Sequence, residues 1–209
     1  MTTHILNDVA DEAAVLKAIE TNMFSFWTNY GRLPDQEIFE DERLIRFATQ
    51  VPHPLFNAVF GAQLTVIRID PTIDEMIAYF RARQSPFFWW TGPITRPSDL
   101  GLRLQAHGLM DAGDTPGMAI DLINLPENIP TPSGFEIAPV TNDEQLRQWT
   151  DVLNIANDMP NSIYDAIYQL EQSRGFEALR YLGLLSGKPV AASELHLDAG
   201  VAGVYAVAV

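Results

Sequence analysis

A carboxylate, an imidazole and a second carboxylate alternate within one short run near the end of the sequence. In Glu194-Leu-His-Leu-Asp198, an extended strand places Glu194, His196 and Asp198 on one face and the two leucines on the other. Glu194 and His196 can each accept a proton, and the ordinary pKa of histidine suits that work near neutral pH. The same triplet also fits the solvated face of an antiparallel strand. A spacing of two with a single histidine is weak evidence for a metal site, so we expect none.

These residues need a meander of strands to position them. Ser186-Gly187 and Asp198-Ala-Gly200 are turn sequences that separate three apolar runs, which predicts two hairpins in succession. Helical spacing of apolar residues precedes the meander. The predicted elements of this part are strand Phe135–Ala138, helices Asn142–Ala156 and Ser162–Gln172, and strands Arg180–Leu185, Val190–Leu197 and Val201–Val209.

The earlier part of the sequence also mixes helical and strand patterns. Apolar residues recur at helical spacing in three segments, and shorter apolar runs between them are typical of strands. The predicted elements are helix Asp8–Tyr30, strands Arg43–Thr49 and Phe56–Leu64, a helix from Pro71 or Thr72 to Arg83, strand Phe87–Trp90, helix Ser98–Ala106 and strand Met118–Leu122.

A proline-rich stretch divides the chain. Leu125-Pro-Glu-Asn-Ile-Pro-Thr-Pro-Ser133 can continue neither a helix nor a central strand, so it predicts a connection between domains. The predicted limits are a first domain of residues 1–124, a linker of residues 125–133 and a second domain of residues 134–209.

Composition excludes several classes of function. The 209 residues are 47% hydrophobic and carry 13 basic against 27 acidic side chains, for a net charge of -14. Without a Lys/Arg cluster the chain is no nucleic-acid binder. The negative field would attract a cationic amine, although acidic surfaces also serve solubility.

The sequence has no cysteine, which excludes disulfides, thiolate metal sites and an acyl-cysteine intermediate. Its beginning lacks the basic start and apolar run of a signal peptide, and no apolar stretch approaches the roughly 20 residues that span a bilayer. We expect a cytoplasmic protein that does not bind membranes.

The order of elements and two sequence strings resemble the GNAT superfamily of N-acetyltransferases. Strand, helix, helix and a three-stranded meander is how that family begins. Tyr181-Leu-Gly-Leu-Leu-Ser-Gly-Lys-Pro-Val-Ala-Ala-Ser193 and Gly203-Val-Tyr-Ala-Val-Ala-Val209 look like its second to fourth strands. The resemblance implies an α/β fold with a mixed sheet, the acyl-CoA N-acyltransferase fold. It also implies transfer of an acetyl group from acetyl-CoA to a small amine or a peptide N-terminus.

The first domain resembles the same fold again, as a degenerate copy. Strand Phe87–Trp90, the helix after it and Leu104-Gln-Ala-His-Gly-Leu109 are similar to the family's fifth strand and fourth helix. Where the coenzyme A loop would fall, Thr65–Thr72 contains no glycine. A pyrophosphate needs unobstructed backbone N–H groups at a helix N-terminus, so we expect this domain to be structural or substrate-binding.

The family's phosphate-binding loop, R/Q-x-x-G-x-G/A, occurs nowhere in the sequence. In the family it follows the fourth strand, and here the sequence stops at Val209. We therefore expect residues 134–209 to be the first half of an acetyltransferase domain, truncated before its acetyl-CoA loop and inactive with acetyl-CoA in this form.

The resemblance also assigns roles to residues near Val209. Main-chain groups of Ala206, Val207, Ala208 and Val209 would hold the thioester, Glu194 would be the base, with His196 as an alternative, and Tyr205 would protonate the departing thiolate. The alternative for the apolar run is a buried strand, and for Tyr205 ordinary packing.

Two further interpretations stay open. One is a non-catalytic binding or regulatory protein in which neither domain holds coenzyme A. The other is a chain whose sheet is completed by a partner strand or a second copy, because a bare apolar edge strand invites pairing.

Overall fold

A computed structural model describes residues 5–6, 11–126 and 128–209. The chain divides into two compact units, one of residues 19–118 and the other of residues 1–18 together with 119–209. The proline-rich stretch comes shortly after the change of unit, and the domain limits drawn from it stay a prediction.

The unit of residues 19–118 contains a four-stranded sheet in the order β1-β2-β3-β4. The first three strands are antiparallel, and β4 pairs parallel to β3 because helix α2 returns the chain between them. The elements are the part of α1 (Glu12–Gly31) from residue 19 onward, β1 (Glu37–Glu40), β2 (Ile45–Ala48), β3 (Asn57–Phe60), α2 (Ile69–Ala82), β4 (Phe88–Trp89) and α3 (Leu100–Ala106).

Helix α2 forms because its apolar residues share one side. Ile69, Ile73, Met76 and Phe80 follow one another at intervals of three or four and are at most 1% exposed. Removing each such side chain from water contributes about 1.5–3 kcal/mol. Asp70 in the first turn has the charge that the helix dipole favours there.

Glu20 of α1 fixes the irregular chain that follows β4. Its carboxylate is buried and accepts a hydrogen bond from the Ile94 backbone N–H at 2.9 Å. A Cβ on Gly92 would lie 1.8 Å from Glu20 Oε1. Burial raises the pKa of Glu20 above its ordinary value. Gly92 therefore allows a backbone approach that no other residue permits without displacing Glu20.

The other unit contains, within residues 119–209, a second four-stranded sheet in the order β5-β6-β7-β8, antiparallel throughout. Helices α4 and α5 connect β5 to β6. The elements are β5 (Phe135–Pro139), α4 (Asp143–Ala156), α5 (Tyr164–Ser173), β6 (Leu179–Leu185), β7 (Lys188–Asp198) and β8 (Val201–Ala208).

Tight turns set the register of β6, β7 and β8. Ser186 and Gly187 have φ angles of 51° and 78°, and Ala199 and Gly200 have 54° and 75°. Two consecutive left-handed residues match the right-handed twist of the flanking strands, as in a type I′ hairpin. Both hairpins were predicted from the sequence and are confirmed.

The two faces of the β5–β8 sheet differ in burial. Leu182, Ala192 and Ala208 are buried in one cluster with Leu146 and Trp149 of α4. On the opposite face, Ile137, Leu197 and Val204 are 68%, 65% and 60% exposed. We call that second side the open face; it also carries Leu179, two strands from Val204.

The predicted α/β class with a mixed sheet is confirmed, since β1–β4 form such a sheet, and most predicted elements are present. The predicted strand Met118–Leu122 is wrong. That segment is irregular, with a 3-10 turn only at Leu122–Asn124, and Met118 and Leu122 are 89% and 71% exposed. Apolar residues form a strand only where a neighbouring strand and a core accept them, and neither does so here.

Two differences concern the start of the chain. The sequence did not predict β1, whose four residues begin and end with glutamate and lie at a sheet edge. The predicted helix Asp8–Tyr30 is observed from Glu12, and residues 8–10 lie outside the described residues.

Candidate functional site

The paired strands β7 and β8 bring three candidate side chains together. Glu194 pairs with Tyr205 and His196 pairs with Gly203 in the antiparallel register. Because directly paired residues share a face, Glu194, His196 and Tyr205 lie on the side covered by α4 and α5. The His196 and Tyr205 rings meet edge to face, with centroids 6.4 Å apart.

Glu194 belongs to a buried group of four charges. Arg174 donates from Nη1 to Glu194 Oε2 at 2.9 Å and from Nη2 to Glu194 Oε1. Glu171 Oε2 accepts from Arg174 Nη1 at 2.9 Å and from Arg180 Nη2 at 2.7 Å. Arg180 Nε lies 3.6 Å from Glu194 Oε2. These four side chains are at most 5% exposed, and we call them the buried quartet.

The quartet is neutral as a whole, with two guanidinium groups and two carboxylates. Buried charges are tolerated when each is paired and hydrogen-bonded, which holds for every member here. The interpretation of Glu194 as part of a solvated face is therefore wrong, because the residue is 1% exposed. Its role as a base stays a prediction.

His196 is half-buried beside the quartet. Burial lowers its pKa below the ordinary value, Asp198 and Glu194 act in the opposite direction, and Arg174 lowers the pKa further. With a lowered pKa the imidazole is neutral at pH 7 and can accept a proton.

Tyr205 is partly buried on the neighbouring strand. Burial raises the pKa of its hydroxyl to about 12. The phenol therefore stays protonated at neutral pH and can donate a hydrogen bond to a developing negative charge.

A β-bulge follows Tyr205 in β8. The register moves from Glu194↔Tyr205 to Ala192↔Ala208, so Ala206 and Val207 oppose Ser193 alone. Ala206 has φ of 51°, a conformation that non-glycine residues seldom adopt and that often marks functional positions. The bulge reorients the main chain within the segment 206–209, where the sequence predicted a thioester-binding slot.

Trp149 of α4 reinforces β7 opposite the bulge. Its indole Nε1 donates to the Ser193 carbonyl at 3.0 Å, and its ring is 1% exposed. Arg180 of the quartet lies over the same ring, 5.4 Å from its centroid. One buried side chain thus links the bulge to the quartet, a relation that no sequence motif signals.

The residues do not fit a pyrophosphate at the predicted loop position in the other unit. A 3-10 turn at Val66–Arg68 leads into α2, and Val66 and Ile67 are 77% and 82% exposed at that helix start. Pro71 has no N–H to offer. A phosphate there would meet apolar side chains where it needs open backbone donors.

The charges of residues 119–209 are also unfavourable for phosphates. Residues 119–209 include four cationic side chains. Arg174 and Arg180 belong to the quartet, and Arg147 pairs with Asp165 at 2.9 Å. That leaves Lys188, at the opposite end of β7 from His196.

A second titratable cluster lies in the unit of residues 19–118. His107, directly after α3, has Nδ1 at 2.9 Å from Asp74 Oδ1 and Nε2 at 3.3 Å from Asp70 Oδ1. The hydrogen bond to Asp74 is the main reason that the pKa of His107 lies above its ordinary value. Only the imidazolium form donates to both carboxylates.

Across residues 5–6, 11–126 and 128–209, no group of three or more suitable side chains could hold a metal ion. Within the same residues, no helix combines the length and the apolar character that crossing a membrane requires.

Comparisons with known proteins bear on the fold. Neither a protein-family model nor a curated protein sequence matches the chain. A solved structure, a GCN5-related N-acetyltransferase from Kribbella flavida, matches with a TM-score of 0.66 over 91% of this chain and 72% of that chain, at 15% identity. The chain therefore has the fold of the GNAT superfamily, as the sequence resemblance predicted.

Proposed function

We propose that this chain contains the acetyl-transfer site of an N-acetyltransferase, which moves an acetyl group from a thioester, acetyl-CoA, to a small amine or a peptide N-terminus. The observation that carries the proposal is the bulge at Ala206 directly beside Tyr205 and His196. The likeness of fold supports a transferase of this type.

Each part of the site has a task in such a transfer. Main-chain groups of residues 206–209 hold the thioester carbonyl, because a bulge in an edge strand presents backbone groups that the sheet does not use. Tyr205 donates a hydrogen bond to the departing sulfur. Glu194 or His196 accepts the proton of the amine. The acyl group passes directly between substrates, since the chain has no cysteine to carry it.

We expect weak affinity for acetyl-CoA itself, because the described residues offer its pyrophosphate no fitting loop. Calorimetric titration of acetyl-CoA into the protein checks this expectation. Micromolar affinity would contradict it and would point to a phosphate site of another kind.

A thioester without phosphates tests acyl transfer independently of coenzyme A binding. We expect the chain to form an amide from S-acetyl-N-acetylcysteamine and glycinamide faster than buffer alone, as measured by mass spectrometry.

Ala206 offers a matched pair of variants. Ala206→Gly keeps access to positive φ and should retain the rate, whereas Ala206→Pro fixes φ near -65° and should lower it by about 100-fold or more. Equal rates in both variants would refute the role of the bulge.

A non-catalytic binding or regulatory protein is the second candidate. The poor fit of Thr65–Thr72 to a pyrophosphate favours it. Absence of amide formation with either acyl donor, from a folded protein, would support this candidate over the enzyme.

We also propose a cytoplasmic protein in which a second copy or a partner strand pairs with β8. That strand lies at the edge of its sheet and carries no charged residue, so no side-chain charge opposes pairing along residues 201–204, ahead of the bulge at Ala206. Light scattering behind size-exclusion chromatography tests self-pairing; a strict monomer at all concentrations would leave the partner strand as the alternative.

A further inference from the structure

We infer that His196, and not Glu194, accepts the proton of the acceptor amine, and that Arg174 determines this choice. The inference rests on the proposed function, because it assigns a role within the same site.

Arg174 occupies both oxygens of Glu194. Its two terminal nitrogens donate one to each oxygen, and the Glu194 side chain is 2% exposed. A carboxylate that took a proton here would lose a charge-assisted hydrogen bond and leave a guanidinium group partly unpaired in the protein interior. Proton acceptance by Glu194 therefore works against the packing of α5 on the sheet.

Whereas Glu194 is 1% exposed, His196 is only half-buried. It lies two residues after Glu194, on the same face, and its cross-strand neighbour Gly203 has no side chain. The next residue on that face of β8 is Tyr205, whose ring meets the imidazole edge to face. A proton acceptor and a hydrogen-bond donor thus stand side by side next to the bulge.

The charged groups around the imidazole are compatible with this role. Asp198 follows on the same strand, Glu194 precedes it, and Arg174 approaches from α5, while Tyr205 faces it from β8. Burial outweighs the carboxylates and lowers the pKa of His196, so the ring is neutral at pH 7. Asp198, exposed at the end of β7, is placed to attract an incoming ammonium group.

The step balances without any further reactant. His196 takes one proton from the ammonium form of the substrate, and the neutral nitrogen attacks the thioester carbon. The C–N bond forms, the C–S bond breaks, and the electron pair of that bond leaves with sulfur. The second proton of the attacking nitrogen passes to the sulfur, to which Tyr205 donates a hydrogen bond. The imidazolium of His196 then returns its proton to water.

The test is the pH dependence of amide formation from S-acetyl-N-acetylcysteamine and glycinamide. We expect His196→Gln to lower the rate by about 100-fold or more and to remove the loss of rate on the acidic side that titration of His196 causes. Added imidazole should restore part of the rate. His107→Gln is the matched control, because it removes a histidine outside the site, and it should keep the wild-type profile.

Glu194→Gln distinguishes the two bases. If the inference holds, this variant keeps the fall in rate at acidic pH (the acidic limb of the pH–rate profile). The limb moves to lower pH, because one of the carboxylates that raise the pKa of His196 is gone. Direct NMR titration of the His196 imidazole checks the same shift even where the quartet variant is less stable.

Two outcomes overturn the inference in different ways. An acidic limb that disappears in Glu194→Gln and persists in His196→Gln would reassign the base while leaving the proposed function intact. A folded wild-type chain that forms no amide from the thioester would reject the proposed function, and the assignment of His196 with it.

Discussion

His107 shows how one side chain makes stability depend on pH. Its ring contacts Asp70 and Asp74 of α2, and these contacts raise its pKa above the unfolded value. Stability from such a group is fully present below the unfolded pKa of about 6.5 and is lost as pH rises through the folded pKa.

We therefore expect His107→Gln to lower the melting temperature more at pH 5.5 than at pH 9, as followed by circular dichroism. His53 serves as a control with the opposite pH dependence of stability, since burial lowers the pKa of its imidazole. For His53→Gln the loss should be smaller at acidic pH than at alkaline pH. A His107→Gln deficit that is independent of pH would contradict the role of the two aspartates.

At the scale of single residues, the sequence predicted which side chains stand together but not their surroundings. Alternation along β7 was sufficient to place Glu194 and His196 on one face. The face itself was misjudged, because the partners of Glu194 come from Arg174 and Arg180, which lie on other elements. The positive φ of Ala206 had no signal either, since glycine or asparagine normally marks that conformation.

At the scale of elements, the buried quartet joins α5 to strands β6 and β7. Arg180 is fully buried and donates both to Glu171 and to the Gly175 carbonyl, the latter at 2.8 Å. A methionine of similar length would leave carboxylates of the quartet without their partner.

We expect Arg180→Met to lower the free energy of unfolding by about 3–5 kcal/mol, measured by urea denaturation. The double variant Arg180→Met/Glu171→Gln should recover part of that loss, because it removes an uncompensated charge as well. A single-variant loss below about 1 kcal/mol would show that the quartet does not hold these elements together.

The contact between Glu20 and Gly92 secures the chain between β4 and α3. We expect Gly92→Ala to lower the free energy of unfolding by about 1–3 kcal/mol, because the displaced carboxylate leaves the Ile94 N–H without its acceptor. Gly101→Ala, in α3, is the matched control: beyond its chain neighbours and the backbone of its own helix, no atom lies within 4 Å of the added Cβ. That change should stabilise the protein by about 0.5–1 kcal/mol. Equal effects of the two would contradict the close approach.

At the scale of the whole molecule, the order of helices and strands along the chain was more predictable than the pairing of strands in the sheets. Helical spacing and turn residues located α4, α5 and the hairpins. The order of these elements, with two sequence strings in the meander, was sufficient to suggest the GNAT fold. Edge strand β1 and the irregular chain near Met118 were missed, because each depends on whether a neighbouring strand is available. Local sequence does not encode that availability.

Segment 109–121 has no helix or strand, and Met110 and Met118 are 93% and 89% exposed. Proteases cleave exposed segments that can adopt an extended conformation. We expect limited thermolysin digestion to cut first in this segment, as identified by mass spectrometry of the fragments. A first cut within β7 or β8 would contradict the assignment of this segment as the least protected.

The open face has a practical consequence for anyone who works with this protein. Ile137, Leu197 and Val204 present aliphatic surface to water in the native state. Environment-sensitive dyes such as ANS fluoresce on contact with surface of that kind, and their signal is commonly taken as a sign of a loosened fold. For this chain we expect high dye fluorescence from the intact molecule. Dye-based thermal shift curves should therefore start at high fluorescence and show a smaller increase on unfolding.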